Sequence, residues 1–180
     1  DLMLPGVGLS FELTRIYNSK TAGFVGYLGA GWDLTADRYL KVTGWSGIGD
    51  TPDSFQTTTG GGGLSPVWLP LVPDPTWLAQ GGTRTMFHYR EEGNVAYLDH
   101  HQEDGSVHVF ENQGGGNHFF LARVEDLSGN QIHYFWEDAG VASFRRLDYV
   151  VDTVGRIVSF EYDDTIGYLE AVAVLDANAQ

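Results

Sequence analysis

The chain has 180 residues, enough for one sizeable core, and carries 24 acidic against 10 basic side chains, a formal charge of −14. That balance speaks against nucleic acid and anionic membrane surfaces, both of which draw on Lys and Arg, and its plain reading is solubility. Cysteine is absent, which excludes disulfides and thiolate metal sites, and no apolar run approaches the ~20 residues of a membrane helix.

Glycine supplies 24 of the residues, and 5 Trp, 9 Tyr and 10 Phe accompany it. Glycine and aromatics without helical periodicity predict many short strands joined by tight turns. From Leu9 to Tyr17, Leu9, Phe11, Leu13 and Tyr17 fall on one parity, and Ser10, Glu12 and Thr14 on the other. This period of two predicts a strand with one buried face, ended by the turn-forming Asn18 and Ser19. No charged-then-apolar leader precedes it, so any targeting signal is expected to be absent or to lie outside this segment. Further strands are predicted over 38–42, 85–91 and 94–99, with a hairpin turn in Glu91–Asn94. The β-branched and aromatic content of 141–151 favours strand over helix.

Residues 44–83 differ in texture. They hold five of the six prolines and a "TTTGGGG" neck, and predict an irregular surface insertion between an opening segment, 1–43, and a repeat region, 84–180. The tryptophans Trp45, Trp68 and Trp77 in it would either fold back as a cap or form an exposed patch.

The repeat region carries the most specific signal. "DLSGNQIHYFWED" from Asp126 aligns with "DTVGRIVSFEYDD" from Asp152, matching Gly129 with Gly155, Tyr134 with Phe160 and Trp136 with Tyr162. A weaker copy lies upstream, where Phe110 follows Gly105 as Tyr134 follows Gly129, and "DANAQ" from Asp176 opens another copy, so the array is expected to continue. Each unit reads as an Asp-x-x-Gly turn, a strand with alternate aromatics, an acidic turn and a return strand. Such a hairpin is too small to bury its own face, so neighbours must pair edge to edge. The predicted class is all-β, with consecutive antiparallel hairpins forming part of a curled or spiral sheet.

At "GRIVSFEYDDTIGYLEAV", Gly155 to Val172, the chain resembles the bacterial Rhs or YD-repeat motif, with Phe160 in the first tyrosine position and Tyr162-Asp163 as the YD pair. The opening stretch, with Thr14-Arg15-x-Tyr17-Asn18-Ser19 and Gly29-x-Gly31-Trp32, is similar to the segment that begins many Rhs cores. The copy at Asp126 departs from the pattern, having Tyr134-Phe135-Trp136-Glu137 where the family has Tyr-x-Tyr-Asp. The resemblance implies a hollow shell of hairpins enclosing a C-terminal toxin or effector domain until delivery. It implies a secreted or bacterial cell-surface setting within a larger protein. The implied partners are the rest of the polypeptide's shell, its toxin domain and delivery components. The framework residues it singles out are Arg15, Tyr17, Asn18, Gly31, Trp32, Asp126, Gly129, Tyr134, Trp136, Asp152, Gly155, Arg156, Phe160, Tyr162 and Asp163.

Catalytic motifs fail on spacing. In "LDHHQED", His100 and His101 are adjacent and would point to opposite faces of a strand, unlike the helical His-Glu-x-x-His of a zinc site, and a solvated turn is expected there. "GWSGIG" has Ile48 at the position of the final glycine of a nucleophile elbow, Gly-x-Ser-x-Gly, and "GGGG" at 60–63 lacks the Lys-Ser/Thr of a phosphate loop. Asp163-Asp164 diverge on a strand, a poor start for acid–base pairing. "GDTPDS" around Asp50 and Asp53 matches no calcium loop. The expectation is a non-catalytic scaffold without cofactor or metal. The alternative is a surface-binding module for carbohydrate or protein that uses the three tryptophans, whose exposure would discriminate the two.

Overall fold

The computed structural model describes residues 1–21, 25–45, 52–59, 63–64, 69–71, 76–78, 85–112, 116–139, 145–163 and 165–176. The opening strands are short: β1 (Leu2–Leu4), β2 (Phe11–Leu13), β3 (Arg15–Tyr17), β4 (Val25–Gly26), β5 (Gly29–Ala30) and β6 (Trp32–Leu34). They form three two-stranded ribbons, β1–β2, β3–β6 and β4–β5. Next come β7 (Tyr39–Trp45), β8 (Pro52–Thr59), β9 (Gly63–Leu64), β10 (Leu69–Leu71) and β11 (Thr76–Leu78). The repeat region supplies β12 (Met86–Glu92), β13 (Val95–His101), β14 (Val107–Glu111), β15 (His118–Glu125), β16 (Gln131–Asp138), β17 (Arg145–Val151), β18 (Ile157–Tyr162) and β19 (Leu169–Leu175). No α-helix occurs among the described residues, and the fold is the all-β, curled, antiparallel arrangement the alternation predicts.

From β10 to β19 each strand pairs with the next, an unbroken antiparallel meander that does not close into a barrel. A local turn sets the register where β12 becomes β13: Gly93 lies at φ 64° and Glu92 faces Val95. Alternation then sorts the faces. Phe87, Leu98, Phe110, Ile132, Val158 and Phe160 are all at most 5% exposed and lie on the inward side.

The meander divides at β15. Its His118–Phe120 half pairs with Lys41–Tyr39 of β7, and its Arg123–Glu125 half with His133–Gln131 of β16. Leu121 sits between the halves and is 1% exposed. Its N–H donates to the Arg38 carbonyl at 3.0 Å, and its carbonyl accepts the Trp136 indole N–H at 2.7 Å. A backbone unit that has lost its strand neighbour is thus still fully bonded, as burial requires. The fork lets β7 and β8 fold over the inward face, where Phe55 meets Phe87 edge-on at 4.7 Å. Farther along, the opening ribbons cover the same face, with Phe11 6.4 Å from Tyr134 and Tyr27 5.4 Å from Tyr162.

Two expectations are corrected. The stretch 44–83 is not an irregular insertion throughout. It supplies the end of β7 and all of β8 to β11, and Phe55 is fully buried. Burying one phenylalanine is worth about 1.5–3 kcal/mol, which holds the threonine-rich β8 to the sheet despite flanking prolines and glycines. His100 and His101 lie in β13 rather than in a solvated turn, and His100 stacks on Phe87 at 3.9 Å.

Trp136→Phe keeps most of the ring and deletes the donor to a buried carbonyl. It should cost about 1–3 kcal/mol by urea denaturation, whereas Lys41→Ala, at an exposed site near the fork, should stay within about 0.5 kcal/mol.

Candidate functional site

The framework residues Asp126, Gly129, Asp152, Gly155 and Arg156 lie at turns along one side of the meander. Three five-residue turns there share one backbone pattern. Asp126 N–H bonds the Asn130 carbonyl and Gly129 N–H the Asp126 carbonyl; Asp152 with Arg156 and Gly155 repeats this, as does Gln102 with Ser106 and Gly105. Gly105, Gly129 and Gly155 all have φ near +80°, the left-handed region that favours glycine. Asp126 Oδ1 accepts the N–H groups of Ser128 and Asn130, at 2.8 and 2.9 Å. Asp152 Oδ1 accepts those of Val154 and Arg156, at 3.0 and 2.9 Å. Asp152 is 4% exposed and its Oδ2 also takes Arg156 Nε at 2.6 Å. The Asn130 amide and the turn's N–H groups hold the Asp126 carboxyl below its usual range.

The aromatic positions repeat as closely. Trp136 donates to the Leu121 carbonyl and Tyr162 to the Leu147 carbonyl at 2.8 Å, the second pair following the first by 26 residues. The register shifts at Phe135/Trp136 and again at Glu161/Tyr162. A third shift at Val109/Phe110 makes Phe110 the counterpart of Trp136, so the upstream copy is two residues shorter between glycine and bulge than its alignment with Tyr134 implies. Phe160 is buried, Tyr134 packs against the core, and burial raises the Tyr134 phenol to about 12. Asp163, the acidic half of the YD pair, accepts Thr165 and Ile166 N–H at 2.6 and 2.9 Å and so forms the turn at the opposite edge.

The opening signatures meet each other. β3 and β6 are one antiparallel pair, with Arg15 opposite Leu34 and Tyr17 opposite Trp32, whose rings lie 5.2 Å apart on the surface. Asn18 N–H bonds the carbonyl of Gly31, which has φ 75°, and Arg15 pairs with Asp1 across 3.7 Å of exposed surface. Trp68 lies outside the described residues. Trp45 and Trp77 contribute backbone to β7 and β11, and their side chains lie outside the description.

A seam joins the opening segment to the repeat turns. Arg156 Nη2 donates to the Pro5 carbonyl at 2.5 Å, and Val7 N–H to Thr153 Oγ1 at 2.8 Å. Gly8, at φ 72°, lies so close to the Asp126 turn that a Cβ there would collide with Asp126 Oδ2 and Asn130 Nδ2. Pro5-Gly6-Val7-Gly8 therefore threads between two repeat turns. Farther along, Tyr27 OH donates to the Arg145 carbonyl at 3.0 Å, beside the stretch of β17 that has no β18 partner.

Tyr27, Asp33, Asp37, Leu147 and Tyr162 enclose a cavity of about 10 Å³, room for one water at most. Burial, then the charge and hydrogen bond of Asp33, push Asp37 up to about 8, so it is protonated near neutrality. None of Tyr27, Asp37, Pro5, Gly6 or Gly8 was picked out from sequence. Only the paired glycines of "PGVG" carried a local signal of close backbone approach.

Residues 1–51, which span β1 to β7, match a family described as a domain of unknown function, DUF6531. No curated protein matches the chain. Among solved structures it is similar to the N-terminal domain of effector protein SpvB from Salmonella typhimurium strain LT2. That likeness has a TM-score of 0.52 at 15% identity and covers 90% of this chain and 72% of that one. The two share a fold.

Because the folded value of Asp37 lies above its ordinary 3.8, its contribution to stability is full below that value and is lost as pH rises through about 8. His100 and His108 act oppositely: their lowered values give stability that is present above 6.5 and lost as pH falls through about 4 to 3. Between pH 6.5 and 8 the Asp37 effect stands apart from theirs. The melting temperature should fall across that range, and Asp37→Asn should flatten the fall. Seam packing has its own check. Gly8→Ala should destabilise by about 1 kcal/mol or more in urea titrations.

Proposed function

We propose that this chain is a non-catalytic structural segment of an Rhs/YD-repeat shell that encloses a C-terminal toxin or effector domain of the same polypeptide. It belongs to a secreted or bacterial cell-surface setting, as part of a larger protein, and keeps that domain enclosed until delivery. The observation that carries this reading is the 26-residue repetition of one three-dimensional unit: the Asp turn, the bulge and the aromatic-to-carbonyl bond recur from Leu121–Trp136 to Leu147–Tyr162.

Two further features support it. The motif residues spend their polar atoms on main-chain partners: Asp126, Asp152 and Asp163 accept backbone N–H groups, and Trp136 and Tyr162 donate to carbonyls. These are the uses of a wall, not of a reaction centre. The inward row also continues onto β19, where Val172 and Val174 face Phe160 and Val158 yet are 37% and 43% exposed. The likeness to one domain of an effector protein is consistent with such a setting.

The reading is tested by deleting this segment from the full-length polypeptide and challenging the C-terminal domain with protease. Cleavage should accelerate. Unchanged protection, together with glycan binding or hydrolase activity in the segment, would overturn the shell reading in favour of a surface-binding module or an enzyme.

A further inference from the structure

Between the inward face of β13–β14 and the overlying β7–β8 ribbon lies a cleft of about 270 Å³, bounded by Arg38, Thr57, Thr58, His100, Gln102 and His108. Arg38 is fixed there, since its Nε donates to the Thr35 carbonyl at 2.9 Å and its own carbonyl is held by Leu121 at the fork. Arg15, Arg90, Arg123, Arg146 and Arg156 each have a carboxylate within ion-pair distance, and Arg38 has none among the described residues. In a chain with 24 acidic side chains, a half-buried guanidinium with no carboxylate partner among the described residues is set up for an anion from outside.

The rest of the lining suits that role. His100 and His108 are directly opposed across β13 and β14, with ring centroids 6.2 Å apart and planes at 84°. His100 is locked by its stack on Phe87 and by Gln102, whose amide donates to Nδ1 at 2.7 Å. His108 makes no side-chain hydrogen bond among the described residues. Burial, then the Arg38 charge, holds His108 down to about 4, and burial with the neighbouring histidines and Arg38 holds His100 to about 3. Both rings are neutral at pH 7, so the cleft presents one fixed positive charge and a neutral imidazole donor. Thr58 spends its hydroxyl on the Tyr39 main chain at 2.8 and 2.9 Å and only shapes the wall.

We propose that this cleft binds a single oxyanion group, a carboxylate or a phosphate, with Arg38 supplying the charge and His108 a neutral ring donor. A guanidinium pairs with either group through parallel N–H···O bonds. An anion placed there also favours the imidazolium form, so binding must raise the pH at which His108 titrates.

The test follows the imidazole NMR signals of the 180-residue chain during titration with sodium phosphate and, separately, sodium acetate, with sodium chloride keeping ionic strength constant. The expected result is a saturable shift of the His108 signals, a rise in its titration midpoint and at least tenfold weaker binding in Arg38→Gln. A stronger response to phosphate assigns a phosphate group, and a stronger response to acetate a carboxylate. Because Arg38 also serves the fork, His108→Gln is the second variant and should abolish the anion-dependent rise in melting temperature. A response that chloride alone reproduces, one unchanged in Arg38→Gln, or a full thermal rise in His108→Gln would overturn the assignment.

Discussion

The hydrogen bond from the Trp136 indole to the Leu121 carbonyl is the constraint on which the architecture rests. A meander satisfies its backbone only while neighbours stay side by side, and at β15 they part. An unbonded buried carbonyl would cost about 1–3 kcal/mol, enough to disfavour the fork. With the indole in place β7 can leave, and the sheet acquires a second layer made from its own chain. One unit later the same gap opens beside β17. There Tyr162 and Tyr27 bond the Leu147 and Arg145 carbonyls in place of a strand. Two copies of one motif thus solve one problem, once with a strand and once with side chains.

The acidic excess has a structural explanation beyond solubility. Asp104, Asp126, Asp152 and Asp163 act at turns as acceptors for backbone N–H groups. Each does locally what a strand neighbour would otherwise do. Part of the negative charge is therefore tied to chain reversals, and Arg15, Arg90, Arg123, Arg146 and Arg156 each pair with a carboxylate. Arg38 stands out against that background.

Local chemistry was legible in the sequence; long-range partnership was not. The period-two alternation and the Asp-x-x-Gly turns of Asp126 and Asp152 act over a handful of residues, so β16 and β18 and their turns could be read directly. β8 could not, because Phe55 is a strand residue by virtue of Phe87, 32 positions later, and the flanking prolines and glycines pointed the other way. His100 was misplaced for the same reason: "HHQED" looks polar until the Phe87 ring is laid beneath it. The protonation of Asp37 depends on burial under Tyr27 and Tyr162, which no window of sequence contains. Phe110 was aligned by its distance from Gly105, and the shortened copy showed itself only through the position of the bulge.

The seam at Pro5–Gly8 has a consequence for how the chain is made. Its partners Thr153 and Arg156 lie 146 and 151 residues downstream of Val7 and Pro5. At synthesis rates of about 5–20 residues per second, the opening segment waits roughly 7–30 s for the turns that receive it. Through that interval the apolar sides of β1 and β2, with Leu2, Leu4, Phe11 and Leu13, have no surface to cover. Contacts of such sequence separation also close late during folding, after the local hairpins. Residues 5–8 are thus among the last of these residues to find their place, and the glycines that let them slide between finished turns are suited to docking onto a sheet already built.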